Sequence, residues 1–366
     1  GRLSDRIGRR PVLLVSTAGA SVSYALFAVA SSLGGNSALL LLLVSRVFAG
    51  IFGANITVAQ AYIADITPPE QRSAKMGLVG MAFGLGFIFG PALGALSYKL
   101  LGLTGPGWVA AGLCALNFVL ALLILPESWR PSSEQVAGRP RLAQWAHTLA
   151  QPNIGLLIAV FFLATFCFAT FETTLGLLIS RNFHIYYQHD DHAKTLVGYL
   201  FAYCGVIGAF VQGGTIGRLV KALGESKLIV LSLVLTGVSL ALVPFSQGRE
   251  PFAWGLLLQK AGLPWLSLLF LLALLSVGTS LTRPPLFGLL SMLSPKQEQG
   301  AVIGVAQSAG SLARIVAPIF AATLFEYNPV WPYAICGAVS LFAAWWAWQS
   351  LGKTESLVVG AKAAAR

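Results

Sequence analysis

Apolar runs of about 20 residues recur from one end of the chain to the other, and about 20 helical residues are what a hydrocarbon core roughly 30 Å thick requires. In such a core the backbone is satisfied only inside a helix or around a closed barrel. A barrel is excluded, because its strands would alternate apolar and polar over about ten residues, whereas the run 268–275 is apolar on every face. A length of 366 residues would ordinarily suggest two or three soluble domains, but 56% hydrophobic and only 10% charged residues depart from that class. The chain reads as an all-α polytopic membrane protein.

Hydrophobicity and helix breakers place ten spans, near 11–33, 38–64, 74–98, 106–126, 154–180, 195–216, 228–246, 264–293, 300–325 and 331–350. The long break 127–152, with Arg130, Pro131, Arg139 and Pro140, reads as a linker between the halves 1–126 and 153–366. Of the 24 Lys and Arg residues, 16 fall in loops on the side of residue 1, in the linker or in the C-terminal tail, and 5 fall on the other side. By the positive-inside rule residue 1 and the C-terminus are cytoplasmic. Arg46, Arg283 and Arg314 lie within spans, where a charge is paired or functional. The net charge of +11 therefore reports topology, and no basic stripe interleaved with aromatics suggests a nucleic-acid partner. Cys114, Cys167, Cys204 and Cys336 fall inside spans and read as small core residues, not as a disulfide framework or a CxxC site. His184, His189, Asp190, Asp191 and His192 share one outer loop, but their spacing matches no closed metal site, so a solvated loop is the reading and no metal is assigned.

An internal repeat emerges when the halves are overlaid. Gly1-Arg2-Leu3 with Gly8 reappears as Gly217-Arg218-Leu219 with Gly224. At a nearby offset Pro68, Gly77, Gly86, Gly90, Pro91, Gly94 and Ala95 fall on Pro295, Gly304, Ala313, Ala317, Pro318, Ala321 and Ala322. Duplicated membrane units of this kind occur in transporters, with the substrate site between the repeats. The second half has six spans and the first four, and residue 1 already lies in a loop motif, so two helices are expected upstream of Gly1.

The stretch 1–11, Gly-Arg-Leu-Ser-Asp-Arg-Ile-Gly-Arg-Arg-Pro, sets glycines and charges in a short loop, where Asp5 can pair or cap a helix. By itself it could be a generic positive-inside loop. It resembles the signature G-x-L-x-D-R-x-G-R-R after the second helix in the major facilitator superfamily, and the resemblance extends over the whole chain. The resemblance implies a gating loop of Gly1, Asp5, Arg6, Gly8, Arg9 and Arg10, with Asp5 and Arg9 locking the inward-closed state and Asp65 as partner of Arg9. Arg46, two turns into its span, must find an acceptor or water. Arg46-Val47-Phe48-Ala49-Gly50 is similar to the superfamily's R-x-x-Q-G motif, linked there to proton transfer, with Ala49 in place of Gln; fixation by backbone carbonyls is the alternative. Gly77, Gly86, Gly90, Pro91 and Gly94 can serve as ordinary small-residue helix packing, with Pro91 bending the helix. Their spacing resembles the fifth-helix motif of drug and proton antiporters, departing at Ala95. With Tyr62-Ile63-Ala64-Asp65-Ile66-Thr67 the stretch is similar to bacterial tetracycline-resistance efflux proteins.

Glu172 is the sole carboxylate well inside a span, where charge is disfavoured and a proton can be taken up and released. It could equally be a static partner of Arg314 or be wetted near the outer surface. Asn55, Asn117, Gln212 and Gln307 are candidates to line a cavity or to bridge helices. The expectation is two six-helix halves, twelve helices in all with ten present, exporting a drug-like or amphipathic small molecule, tetracycline-like or multidrug, by alternating access. Protons at Glu172, Arg46 and Arg314 would drive it, in a monomer in the bacterial inner membrane with no cofactor. A proton-coupled symporter or a sugar-type facilitator is the alternative. A membrane enzyme is disfavoured, since no HExxH and no intramembrane Ser-Asp pair occur.

Overall fold

The computed structural model describes residues 3–53, 55–128, 141–184, 191–248, 259, 262–295 and 298–364. Fourteen α-helices and no strand occur among them. They are α1 (Ser4–Ile7), α2 (Arg9–Ser32), α3 (Gly35–Phe52), α4 (Asn55–Ile66), α5 (Arg72–Leu101), α6 (Gly105–Ile124), α7 (Arg141–Ala150), α8 (Pro152–Asn182), α9 (Asp191–Phe210), α10 (Ile216–Leu223), α11 (Glu225–Leu242), α12 (Leu263–Leu293), α13 (Gln299–Tyr327) and α14 (Val330–Ala364). Ten helical stretches among the described residues are long and apolar enough to cross a membrane.

Beyond α14, which continues past the expected end at 350 to Ala364, three boundaries differ from the sequence expectation for a local reason. The span expected over 38–64 breaks after Phe52, where Gly53 closes one helix and α4 starts at Asn55. The span expected to stop at 216 continues through a π-helical turn, Val211–Thr215, into α10. Ile216 and Val220 are buried there while Lys221 and Leu223 are exposed, so an amphipathic turn holds together what the charges suggested was loop. The expected linker contains α7, which buries Gln144 and Thr148 and packs on α8. Residues 129–140 of that linker, Gly1, and His189 and Asp190 of the outer-loop cluster lie outside the described residues.

The chain divides into two compact units. The first comprises Gly1–Pro69, Phe89–Pro140 and Ser294–Gly304. In it α2 packs between α3 and α6, and Val12, Leu13 and Val58 form a small core with Tyr62 and Leu125. Gly107 on α6 lets the helices close, since a Cβ there would lie 2.8 Å from that of Ala28. Leu39, Leu40, Leu43, Val47 and Ile51 of α3 are exposed, as a face against lipid requires.

The second unit comprises Glu70–Ile88, Arg141–Leu293 and Val305–Arg366. Here α11 lies between α12 and α14. Gly237 of α11 stands where a Cβ would meet the Gly337 carbonyl at 3.0 Å, and Gly278 of α12 where one would meet Thr236 Oγ1 at 2.6 Å. The core around Phe171, Leu175, Leu240, Trp265 and Tyr333 is continuous, with Phe183 stacked on Trp265 at 3.9 Å between centroids. Two of the buried hydroxyls find acceptors in this unit: Ser340 Oγ donates to the Leu233 carbonyl at 2.8 Å and Thr174 Oγ1 to Tyr333 Oη at 3.0 Å.

Candidate functional site

In the first unit the site is built on one backbone turn. Gly8 has φ 102° and ψ 159°, outside the range open to residues with a Cβ, and it ends α1 and begins α2 within a single residue. That turn delivers Arg9 into the protein, where it is 1% exposed. Its Nε donates to Asp65 Oδ2 at 2.9 Å, and its Nη1 donates to Ser4 Oγ at 2.8 Å and to Asp5 Oδ1. One guanidinium thus holds two carboxylates. Removing one partner from a buried pair typically costs about 3–5 kcal/mol, so this cluster is a firm tie. Burial pushes the Asp5 carboxyl up from its ordinary value, against the opposing pull of the Arg9 charge.

Two further residues complete this cluster, and neither was legible as a site residue. Glu127 caps α2: the backbone N–H groups of Arg9 and Arg10 donate to its Oε1 and Oε2 at 2.9 and 3.0 Å. Gly300, in the first turn of α13, lies against Asp5 and Arg9, where a Cβ would come within 2.8 Å of both Asp5 Oδ2 and Arg9 Nη1. Arg10 Nη2 donates to the Leu122 carbonyl at 2.8 Å, and Arg6 is exposed. Arg46 has no ion pair among the described residues; its guanidinium lies 4.8 Å from the centroid of Phe27 and 5.9 Å from that of Tyr24.

In the second unit a cavity of about 130 Å³ is lined by Phe83, Phe161, Phe168, Phe171 and Phe201 with Ser, Thr, Gln212, Arg283 and Arg314. Arg314 Nη1 donates to Glu172 Oε2 at 3.3 Å, their side chains 43% and 32% exposed. The pair is open enough for either partner to leave it. Arg283 has no hydrogen bond or ion pair among the described residues and lies 5.6 and 5.5 Å from the Phe83 and Phe161 centroids. A guanidinium at mid-span costs roughly 2.5–3.5 kcal/mol on insertion scales, so its retention points to use. Sequence reading noted Arg283 inside a span and gave it no role.

Local chemistry explains one cavity wall. Pro284 follows Arg283 inside α12 and lacks the N–H that would satisfy the carbonyl four residues back, that of Ser280. Gln212 Nε2 supplies the missing donor at 3.1 Å, which makes this glutamine both wall and bridge.

On α5 the motif residue Gly77 makes a close contact together with Gly80 and Gly84, which lie outside the motif. Gly77, Gly80 and Gly84 are the close contacts: a Cβ at Gly77 would meet the Gln212 carbonyl at 2.7 Å, one at Gly84 the Gly205 carbonyl at 2.9 Å, and one at Gly80 the Gln212 side chain. A Cβ at Gly86, Gly90 or Gly94 would meet nothing within 4 Å among the described residues. A helix turns about 100° per residue, so 77, 80 and 84 share one side of α5, within about 60° of one another. Pro91 lies within α5 between Gly90 and Gly94. Of the remaining candidates, Gln212 lines the cavity. Asn55 accepts from the N–H of Ile56 at 2.8 Å at the start of α4, Asn117 is exposed on α6, and Gln307 is half-buried on α13 away from the lining.

Residues 1–259 and 213–363 match the family model described as the Major Facilitator Superfamily. The chain is similar to the class E tetracycline resistance protein of Escherichia coli, 32% identical over 332 residues that cover 89% of this chain and 74% of that protein. It is also similar to the human major facilitator superfamily domain-containing protein 10, 27% identical over 366 residues, 94% of this chain and 71% of that one. Among solved structures, the crystal structure of the human organic anion transporter MFSD10 (TETRAN) resembles it with a TM-score of 0.75 at 25% identity, covering 95% of this chain and 79% of that chain.

Proposed function

The chain belongs to the Major Facilitator Superfamily, and from that premise we propose that this multi-pass membrane transporter is a proton-coupled exporter of a drug-like, amphipathic molecule. The single observation that carries the reading is an exposed, breakable Glu172–Arg314 pair beside an aromatic cavity. Protonating Glu172 would release Arg314 and change the charge that the substrate meets. Such a step drives transport only if substrate and proton bind the two carrier states with different affinities. In this reading the halves 1–126 and 153–366, joined by 127–152, alternate access across the membrane, with residue 1 and the C-terminus cytoplasmic. Asp5, Arg9 and Asp65 form the gate on that side, and Arg46 and Arg314 serve proton coupling with Glu172. Tetracycline is the first substrate to try, given the class E relative.

Arg283 favours a second reading of the cargo. A guanidinium with no direct ion pair among the described residues, set between two phenyl rings in the cavity, suits a molecule with an anionic group and an aromatic body, in keeping with the name of the human relative. One experiment serves both readings. The gene is expressed in an efflux-deficient bacterial strain, and accumulation of tetracycline, a lipophilic cationic dye and an aryl carboxylate is followed with and without a protonophore. Lowered accumulation restored by the protonophore supports proton-driven export, and the compound that responds identifies the cargo charge. Raised, protonophore-sensitive accumulation would replace export by symport. No response from membrane-inserted protein would sink the drug-export reading.

A further inference from the structure

Three charged side chains meet at the cavity of the second unit, and their signs do not balance. Arg283 and Arg314 line it, and Glu172 meets Arg314 through one contact at 3.3 Å, where an arginine can offer a carboxylate two parallel bonds. The Arg314 charge opposes that of Arg283, and the Glu172 carboxylate favours it. Two arginines against one carboxylate leave a positive excess, which grows when Glu172 takes a proton.

The surrounding elements bring no second acid to this point. Arg283 is the only charged residue of α12, α14 is uncharged from Val330 to Gly352, and α5 is uncharged from Met76 to Tyr98. On α13 the other charge is Glu326, three turns beyond Arg314. The charges of α9, Asp191, His192 and Lys194, lie in its first turn, about 10 Å or more of helix before Phe201 in the cavity wall. Arg141 and His147 of α7 precede α8, about 30 Å of helix from Glu172. The lining also holds a free donor: Thr236 is 2% exposed, and its buried Oγ1 has no hydrogen-bond partner among the described residues.

We propose that Arg283 and Arg314 together form an anion site linked to the proton on Glu172, so that an aryl carboxylate and a proton are carried in the same state of the protein. The proposal rests on the anionic reading of the cargo and fixes the sign of its coupling. A bound anion draws on the same Arg314 as Glu172 and repels its carboxylate, so it favours the protonated form, and the proton favours the anion in return. A cation reverses the sign, because it competes with the proton for one carboxylate. With protons flowing inward, an anion travels with them and a cation against them, so the charge of the cargo sets its direction.

Equilibrium binding to the purified chain in detergent tests this without transport. The probes are naphthoate and its cationic counterpart naphthylmethylamine, in weakly buffered solution with a pH indicator. Naphthoate should take up protons as it binds and tighten by up to about tenfold per pH unit of acidification. Glu172→Gln should bind naphthoate about tenfold or more tighter at about pH 8, without proton uptake, and bind the amine more weakly. Arg283→Gln should lose about tenfold or more in naphthoate affinity, and Arg283→Lys, which keeps the charge but not the fork, should restore part of it. Proton release, no proton change across about pH 5 to 8, or a Glu172→Gln variant that binds naphthoate no tighter would overturn the linkage. The indicator reading uses the unmutated chain, so it decides the matter even where a variant misfolds. A folded chain that leaves naphthoate unbound would remove the anion site while export of tetracycline or a dye from cells can still proceed. Linked binding in a chain that exports nothing would strike the drug-export reading alone.

Discussion

Replacing Gly300 by alanine puts one methyl group into a closely packed point of the first unit. The new Cβ would meet Asp5 Oδ1 first and more closely still, and would stand 2.8 Å from Arg9 Nη1 and 2.8 Å from Asp5 Oδ2. Favourable carbon contacts lie near 3.5–4.0 Å, so about 0.7 Å or more must be found. Arg9 cannot simply swing away, because Asp65 and Ser4 hold it at 2.9 and 2.8 Å and it is 1% exposed. Either the Asp5 contact opens or the start of α13 is displaced. Overpacking of this kind costs about 1–3 kcal/mol, which shifts a two-state population roughly 5- to 150-fold. The expected result is faster amide exchange at 3–8 and 298–304 and a raised fraction of protein in which the Asp5–Arg9 tie is open. Asp5→Ala removes most of the obstructing atoms, so in that background the same alanine should add little. The double-mutant cycle should therefore show an interaction of at least about 0.5 kcal/mol. Additive effects would refute the reasoning, because they would mean that Gly300 and Asp5 do not share the contact from which the cost was worked.

Arg9→Ala leaves Asp5 and Asp65 without their shared cation; membrane fractionation should find the variant inserted while transport falls, and normal transport would remove the gating role. Glu172→Gln fixes that side chain in its uncharged form and should flatten the pH dependence of transport, whereas an unchanged profile would make the Arg314 pair structural. The Asp5 carboxyl is raised in the folded chain by burial, so its contribution to stability is present below the unfolded value of about 3.9 and is lost as pH rises through the raised value. Thermal melting between pH 4 and 7 should show that loss in the parent and not in Asp5→Asn, and identical curves would rule out Asp5 as its source.

What the sequence disclosed follows the range of the interactions involved. Spans were legible because a membrane imposes composition on every residue of a segment. The break at Gly53 and the π turn at 211–215 were not, since each rests on a few residues whose preference for helix is set by their neighbours. Arg9 and Asp65 could be paired from motifs and spans, since both lie at the residue-1 ends of their spans. Glu127 could not, because a carboxylate just past an apolar run looks like any loop acid until the chain returns it to the start of α2, 118 residues away. Arg283 was visible as a charge in a span, but its place between Phe83 and Phe161 in the cavity, without a direct ion pair among the described residues, is a fact of three dimensions.

The fifth helix shows how one string of glycines can hold two kinds of information. Gly77, Gly80 and Gly84 let α5 touch the backbone of 205–216, where the π turn and Gln212 lie. Gln212 answers the carbonyl that Pro284 leaves open in α12, beside Arg283. A side chain added at Gly80 would therefore press on Gln212, expose the Ser280 carbonyl and disturb the helix that carries Arg283, so the close packing of α5 is tied to the cavity through a single hydrogen bond. Gly86, Gly90 and Gly94 take no part in that chain of contacts. Close packing within this unit is thus what Gly77, Gly80 and Gly84 serve, and the cavity wall at Gln212 depends on it.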